Sequence, residues 1–358
     1  MAETEFADTE IRTTAVDFSF GELLNLHKDH EIIIKPEYQR LFRWTDEQRS
    51  RLIESILIGL PIPPIFLIEG DKGVLELIDG LQRTSSVLQF LDHKAIAQPM
   101  LHLTGCDILT HLNGSTFDDL PTVQKLKIKR TPIRATIINK SGNPTIKYEM
   151  FKRLNTGGSL LSAQEIRNCS SRMVDGGENF YQLIQDLATS EHFAAATARL
   201  PDVDKEKRAN EELVLRFFAL ALDRHSFKGN IQEWLDTFME DVLFGRRTFD
   251  SETQKAVFLR CFEVIVDKFG EKAFSRFNDH GEPIGRLAPA YFEAVCAAVH
   301  SNPEAIAALT SEIALERLRS AFADSDFKDS TGPGANSISK LAKRIEVVTG
   351  HLQGNVNS

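Results

Sequence analysis

Apolar residues in the first 170 positions fall into short runs: Ile32-Ile33-Ile34, Ile65-Phe66-Leu67-Ile68, Val74-Leu75-Glu76-Leu77-Ile78 and Ile133 to Ile138. Each is bounded by proline, glycine or charged residues. Such runs between turn residues predict β-strands. Between the first two, Thr45 and Gln48 have the spacing of a capping box, and Leu52, Ile53, Ile56 and Leu57 recur at helical spacing until Gly59 and Pro61. This predicts a helix that buries one face. Gly70-Asp71-Lys72-Gly73 is a tight connection, so residues 65–69 and 74–78 are expected to pair as a hairpin. The second strand runs directly into Asp79-Gly80, and a helix follows from about Gln82 to Leu91. Beyond residue 170 the short runs give way to apolar spacings of three and four, as in Glu211 to Leu222, Ile231 to Leu243 and Thr253 to Phe269. The pattern predicts an α+β chain: a mixed α/β domain over 15–170, then an all-helical domain over 171–358. Residues 324–339, rich in Ser, Gly, Pro and Asn, read as a flexible loop before a last basic helix with Lys340, Lys343 and Arg344.

A length of 358 residues with 42% hydrophobic content gives both domains enough apolar material for a core. No apolar run approaches the ~18 residues of a membrane span. The N-terminus, Met1-Ala2-Glu3-Thr4-Glu5, is acidic where a signal peptide is basic. A soluble, cytoplasmic protein without a membrane partner is expected. Cys106, Cys169, Cys261 and Cys296 lie far apart and off metal-ligand spacing, so they read as buried, reduced thiols, and no metal site is expected from them. The formal charge of −9 excludes a protein that coats nucleic acid through its overall field. Any such contact has to be local. The stretch with Lys125, Lys127, Lys129, Arg130, Arg134 and Lys140 is the candidate, either as a phosphate-binding face or as a solvated one with Leu126 and Ile128 turned to the core.

The sharpest candidate chemistry is the strand that ends in Asp79-Gly80 and turns into a helix beginning with Gln82, Arg83, Thr84, Ser85 and Ser86. A helix N-terminus offers N–H groups and a positive dipole end to an anion, Gly80 allows close approach, and Arg83 can fork onto phosphate oxygens. Asp79 could orient a hydroxyl, hold Mg²⁺ through water or act as a base; equally, it could be only the helix N-cap. A second cluster, Tyr38-Gln39-Arg40-Leu41-Phe42-Arg43-Trp44, sets aromatic rings among arginines, which suits a nucleotide or a hydrophobic lid. A third runs from Asn143-Pro144 through Phe151-Lys152-Arg153-Leu154-Asn155 into Thr156-Gly157-Gly158. There Asn155 and Thr156 could face a ligand or simply end a helix. Ser162 and Glu165 form a further capping-box pair, followed by Arg167 and Asn168. The chain has no P-loop, no Gly-x-Ser-x-Gly elbow and no His-Glu-x-x-His helix.

Taken in order, Pro36-Glu37-Tyr38-Gln39-Arg40, the helix ending at Gly59-Leu60-Pro61-Ile62-Pro63-Pro64, Leu77-Ile78-Asp79-Gly80-Leu81-Gln82-Arg83, Phe151 to Gly158 and Gln164-Glu165-Ile166-Arg167-Asn168 resemble the domain-of-unknown-function 262 family. That family has a ParB/sulfiredoxin-like fold and supplies the N-terminal domain of GmrSD-type restriction enzymes and SspE-type phage-defence proteins. The resemblance is dense from about Phe18 to Asn168. It implies a nucleoside triphosphate pocket of unspecified base, with Mg²⁺, in which Asp79, Gly80, Gln82 and Arg83 match the family's Asp-Gly-Gln-Gln-Arg motif. Leu81 stands where that motif has its first glutamine, which makes binding the firmer expectation and hydrolysis the weaker. Residues 170–358 show no His-Asn-His constellation of the nuclease domain carried by those enzymes.

The expected protein is thus a nucleotide-binding sensor or regulatory subunit of an anti-phage defence or restriction-modification system. If it is an enzyme it is an NTPase, with a separate nuclease or other effector as partner and DNA as a further candidate partner. Asp79, Gln82 and Arg83 are the expected catalytic residues. Tyr38, Gln39, Arg40, Gly80, Arg83, Thr84, Arg153, Asn155 and Thr156 are the expected ligand-binding residues. The alternatives are a non-catalytic ParB-like DNA-binding module and a ParB-fold nuclease.

Overall fold

The structure, a computed structural model, describes residues 12–34, 44–139, 148–149, 152–153, 162–171, 174, 176–278 and 280–354. The chain divides into two compact units, Met1–Gly157 and Gly158–Ser358.

The first unit carries strands β1 (Thr13–Ser19), β2 (Ile32–Ile33), β3 (Ile65–Glu69), β4 (Leu75–Asp79) and β5 (Pro132–Ile138) in one mixed sheet of order β1-β5-β3-β4-β2. β3 and β4 form the expected antiparallel hairpin, and β3 lies parallel to β5. The hairpin register sets Phe66 against Asp79, which brings the exit of β4 beside the entry of β3. Helices α1 (Phe20–Lys28), α2 (Asp46–Ile58), α3 (Leu81–Leu91) and α4 (Thr122–Arg130) accompany the sheet. The predicted box at Thr45 and Gln48 is formed from both sides, and α2 ends at Gly59 in a left-handed conformation. Ile53, Ile56, Ile65, Leu67, Val87 and Ile133 meet in the core of this unit.

One strand had no counterpart in the sequence pattern, and one local expectation needs correction. β1 carried no clear sequence signal because Thr13–Ser19 is an edge strand with few buried side chains, yet it pairs along its whole length with β5. On α4, Ile128 is fully buried as expected, whereas Leu126 is exposed. Residues two apart on a helix point to different sides, so both could not reach the core.

The second unit is helical: α5 (Ala163–Ser171), α6 (Gly177–Ala188), α7 (Glu191–Ala196), α8 (Asp202–Glu206), α9 (Ala209–Asp223), α10 (Ile231–Leu243), α11 (Ser251–Phe269), α12 (Pro289–Ser301), α13 (Pro303–Ala307), α14 (Ser311–Ala323), α15 (Ser325–Thr331) and α16 (Ile338–Gln353). A short hairpin, β6 (Arg276–Phe277) with β7 (Pro283–Ile284), interrupts them. Phe193, Phe217, Phe218, Phe258, Phe262 and Phe292 lie at the centre of its core, with rings tilted or edge-on to one another. The mixed α/β first part and helical second part agree with the α+β reading.

Within the stretch read as a loop, residues 325–331 are helical. Asp324 caps α15 through the N–H of Asp326, and Phe327 is fully buried against Phe322 and Tyr291. One anchored aromatic ring outweighs the polar composition around it. All four cysteines are free and buried. Burial pushes the Cys261 thiol up to about 12, so it stays protonated at neutral pH. No helix among the described residues is long and apolar enough to cross a membrane.

Candidate functional site

The turn from β4 into α3 is built by Gly80, which sits at φ +96°. A Cβ there would also lie 2.3 Å from the Cγ2 of Ile65, at the entry of β3. Both the backbone conformation and the space demand glycine. Gly80 is the N-cap of α3, so Asp79 is not, and no side chain caps this helix; its first turn carries no acidic residue. α1 and α2 both have complete capping boxes and acidic residues in their first turns. The positive end of α3 is therefore left without the side-chain acceptor that the other two possess.

Arg83 is held at this turn. Its Nη2 donates to the carboxylate of Asp79 at 3.0 Å and to the carbonyl of Pro64 at 2.9 Å. Its Nε is buried and has no partner among the described residues. The hydroxyls of Thr84 and Ser85 are buried and likewise unpartnered there. A buried polar group left unpaired costs about 1–3 kcal/mol, so three in consecutive residues mark a place where fold stability alone did not select the side chains. Gln82 accepts the N–H of Trp44 on its Oε1 at 3.3 Å. This fastens the chain just ahead of α2 to the first turn of α3.

A polar seam continues between α2 and α3. Ser86 donates to the Gln82 carbonyl, Gln89 donates to the Pro99 carbonyl, and Arg49 reaches both Asp46 and the side-chain oxygen of Gln89. Burial pulls the Arg49 guanidinium below its ordinary value, with Asp46 opposing the shift. The sequence reading overlooked Arg49, although its spacing of four and seven residues from Ile53 and Ile56 puts it in the buried stripe of α2. Glu54, also on α2, was missed too. Its buried carboxylate accepts the N–H groups of Asp107, Ile108 and Leu109. Burial pushes its carboxyl up, but these three donors and nearby Arg51 outweigh that and hold it below the usual range.

The structure thus brings Asp79, Gly80, Gln82, Arg83 and Thr84 together at one turn. Tyr38, Gln39, Arg40, Asn155 and Thr156 lie outside the described residues. Arg153 is largely exposed and pairs with Glu149 one helical turn away. Much of the basic stretch is engaged within the chain. Lys127 donates to the Leu57 carbonyl, Lys125 donates to the Asp118 carbonyl, and Arg134 forks onto Asp17.

Arg167 and Asn168 have a different setting. Ser162 and Glu165 form their predicted capping box at the start of α5. Arg167, almost fully buried, contacts Asp236 at 2.7 Å, Glu212 at 3.4 Å and the side chains of Gln164 and Gln232. Asn168 donates to Glu211 and accepts from Gln164. These side chains fasten α5 to α9 and α10. The chain of charges then runs on from Glu212 to Arg216, from Arg216 to Glu293 and from Glu293 to Arg344. Arg344, read as part of a last basic helix, is wholly buried. Its glutamate partner on α12 is distant in sequence, so α16 spends this arginine on packing.

Residues 20–171 match the family model described as GmrSD restriction endonuclease, N-terminal domain. The match covers less than half of the chain, includes the β4–α3 turn and reaches into the second unit as far as the end of α5. No curated protein and no solved structure gave a match. Residues 20–171 are therefore a domain of the GmrSD restriction endonuclease N-terminal family, which points to a component of a restriction or phage-defence system.

Proposed function

We propose that the turn between β4 and α3 binds the phosphates of a nucleoside triphosphate, and that the protein is the nucleotide-responsive sensor or regulatory subunit of its defence system. The observation that carries this reading is the helix N-terminus without a side-chain cap, entered through Gly80, with Arg83 fixed at its mouth and an unpartnered Nε. Phosphate oxygens would receive first-turn N–H groups of α3 and the guanidinium of Arg83. Asp79 is then released from its pair with Arg83 or shares it. A magnesium ion carried by the phosphates would find one carboxylate oxygen donor in Asp79, as is usual for that ion. Gln82, tied to Trp44, couples the ligand to the segment that leads into α2. Any hydrolysis at this site would depend on positioning and charge stabilisation. A separate nuclease or other effector is the partner whose action the nucleotide state would govern.

Calorimetric titration with ATP, GTP, CTP and UTP in the presence of Mg²⁺ tests the reading. Saturable binding of at least one nucleotide is expected. Arg83→Ala should weaken it roughly tenfold to a hundredfold, the worth of a lost charged hydrogen bond of about 1.5–3 kcal/mol. Phosphate release assayed alongside separates an NTPase from a switch. Absence of binding by all four nucleotides would overturn the proposal.

A further inference from the structure

The second unit holds a groove of about 770 Å³ enclosed by the β6–β7 hairpin, α12, α14 and α15. Its polar wall is cationic: Arg276 on β6, Arg319 on α14 and Lys328 on α15, with His280 in the hairpin turn. Among the described residues the lining contains no carboxylate, in a chain whose formal charge is −9. Arg276, Arg319 and Lys328 have no carboxylate partner among the described residues. Arg167, Arg208, Arg216, Arg246, Arg247, Arg260 and Arg344 in the same unit do, whereas Arg199, Arg224, Arg286 and Arg317 share the lack of one among the described residues. Asp279, in the same turn as His280, lies outside the described residues.

Arg319 is held in place. The guanidinium of Arg319 lies over the Phe277 ring, 5.4 Å from its centroid, and its Nη2 donates to the Gly281 carbonyl at 2.6 Å. Its Nε is buried without a partner among the described residues. Gly281 makes this seat possible: it sits at φ +74°, and a Cβ would come within 2.8 Å of the Arg319 Cζ. The turn is fixed by Asn278, whose Oδ1 accepts the N–H groups of His280 and Glu282 and whose Nδ2 engages the Glu282 carboxylate. The Glu282 carboxylate is thereby engaged within the turn. Phe277 stacks on Phe322, and Tyr291 packs edge-on to Phe322, so the apolar wall is rigid. Like charges converging on a partly enclosed groove repel one another unless an anion joins them, and a preorganised guanidinium loses little entropy on doing so.

We propose that this groove is a second anion site, one that receives a phosphate ester on Arg276, Arg319 and Lys328, independent of the turn at Arg83. A volume of this size admits a nucleotide or one stretch of a nucleic-acid strand, and the phosphate is the chemistry common to both.

The test uses the full chain carrying Arg83→Ala, which removes the main contact of the first site. Inorganic pyrophosphate, ATP and a fluorescein-labelled oligothymidylate are titrated at low and high salt. At least one is expected to bind saturably, and the double substitution Arg276→Gln/Lys328→Gln, at exposed positions, should weaken it about tenfold or more. Gly281→Ala, which unseats Arg319, should weaken it in the same way. Binding of pyrophosphate and ATP alone assigns a free nucleotide as the source. Binding of the oligonucleotide with a salt slope that falls by about 0.7 per lost contact assigns a strand. The proposal is overturned if the Arg83→Ala chain binds none of the three at low salt, or if the groove substitutions leave binding unchanged. Neither result bears on nucleotide binding by the chain with Arg83 intact.

Discussion

The turn at the start of α3 and the helix interfaces of the second unit handle buried charge in different ways. In the first, polar side chains around α3 are incompletely matched: Arg83 has an idle Nε, Thr84 and Ser85 have idle hydroxyls, and the helix start has no side-chain cap. In the second, buried charges alternate from Arg344 through Glu293, Arg216, Glu212 and Arg167 to Asp236, each acid shared with or followed by a base. Burial pushes the Glu212 carboxyl up, but Arg216 and Arg167 outweigh it and keep it below its ordinary range. Paired charge of this kind specifies how helices pack, although the Arg216 Nε has no partner among the described residues. The unmatched polar groups at the Gly80 turn are what the proposed phosphate site rests on.

The comparison is broken most severely at Glu293, which serves two buried arginines at once. Glu293→Ala should cost about 3–5 kcal/mol, because it strands positive charge in the core. Urea denaturation would show it as a fall in the midpoint. A loss under 1 kcal/mol would mean that the charge ladder is not what holds α9, α12 and α16 together. Gly80→Ala comes next. The left-handed backbone costs about 1–3 kcal/mol and the clash with Ile65 about as much again. This variant should lose both stability and nucleotide binding, whereas Arg83→Ala should lose binding with little change in the denaturation midpoint.

The smallest effect concerns Glu54, a buried charge of α2 met by three backbone N–H groups. Its folded carboxyl is held below the unfolded value of roughly 4.3, so its contribution is complete above that pH and disappears as pH falls through the lowered folded value. Glu54→Gln should therefore cost about 1–2 kcal/mol near neutrality, through loss of charged acceptors for three N–H groups. The difference from the unsubstituted chain should close in acid. A gap that stays constant from pH 7 to pH 3 would show that the carboxylate charge is not what the 107–109 backbone needs.

How much was legible depended on the range of the interaction. The hairpin over β3 and β4, the ends of α2 and the starts of α3 and α5 were all readable, since capping pairs and glycine turns act within a few residues. The motif around Asp79 was readable for the same reason. β1 was not, because an exposed edge strand is specified by its partner β5 and not by its own apolar pattern. Arg49 and Glu54 could have been suspected from their place in the stripe of α2, yet their partners Gln89 and residues 107–109 lie about 40 to 55 positions away in the chain.

The sequence by itself determined the β3–β4 hairpin, the ends of α2, that the chain changes from mixed α/β to helical, and that Asp79-Gly80-Leu81-Gln82-Arg83 forms a strand-to-helix turn. Periodicity and turn chemistry are local, and they survive in any fold that uses them. Only the tertiary structure decided which charges work at the surface and which are consumed inside. Arg167 and Arg344 became packing residues because acids 69 and 51 positions away meet them in the core. Arg276, Arg319 and Lys328 became neighbours because a hairpin and two helices close around one groove. The fate of a charge is set by the dielectric and the partners around it, and those exist only once distant segments have come together.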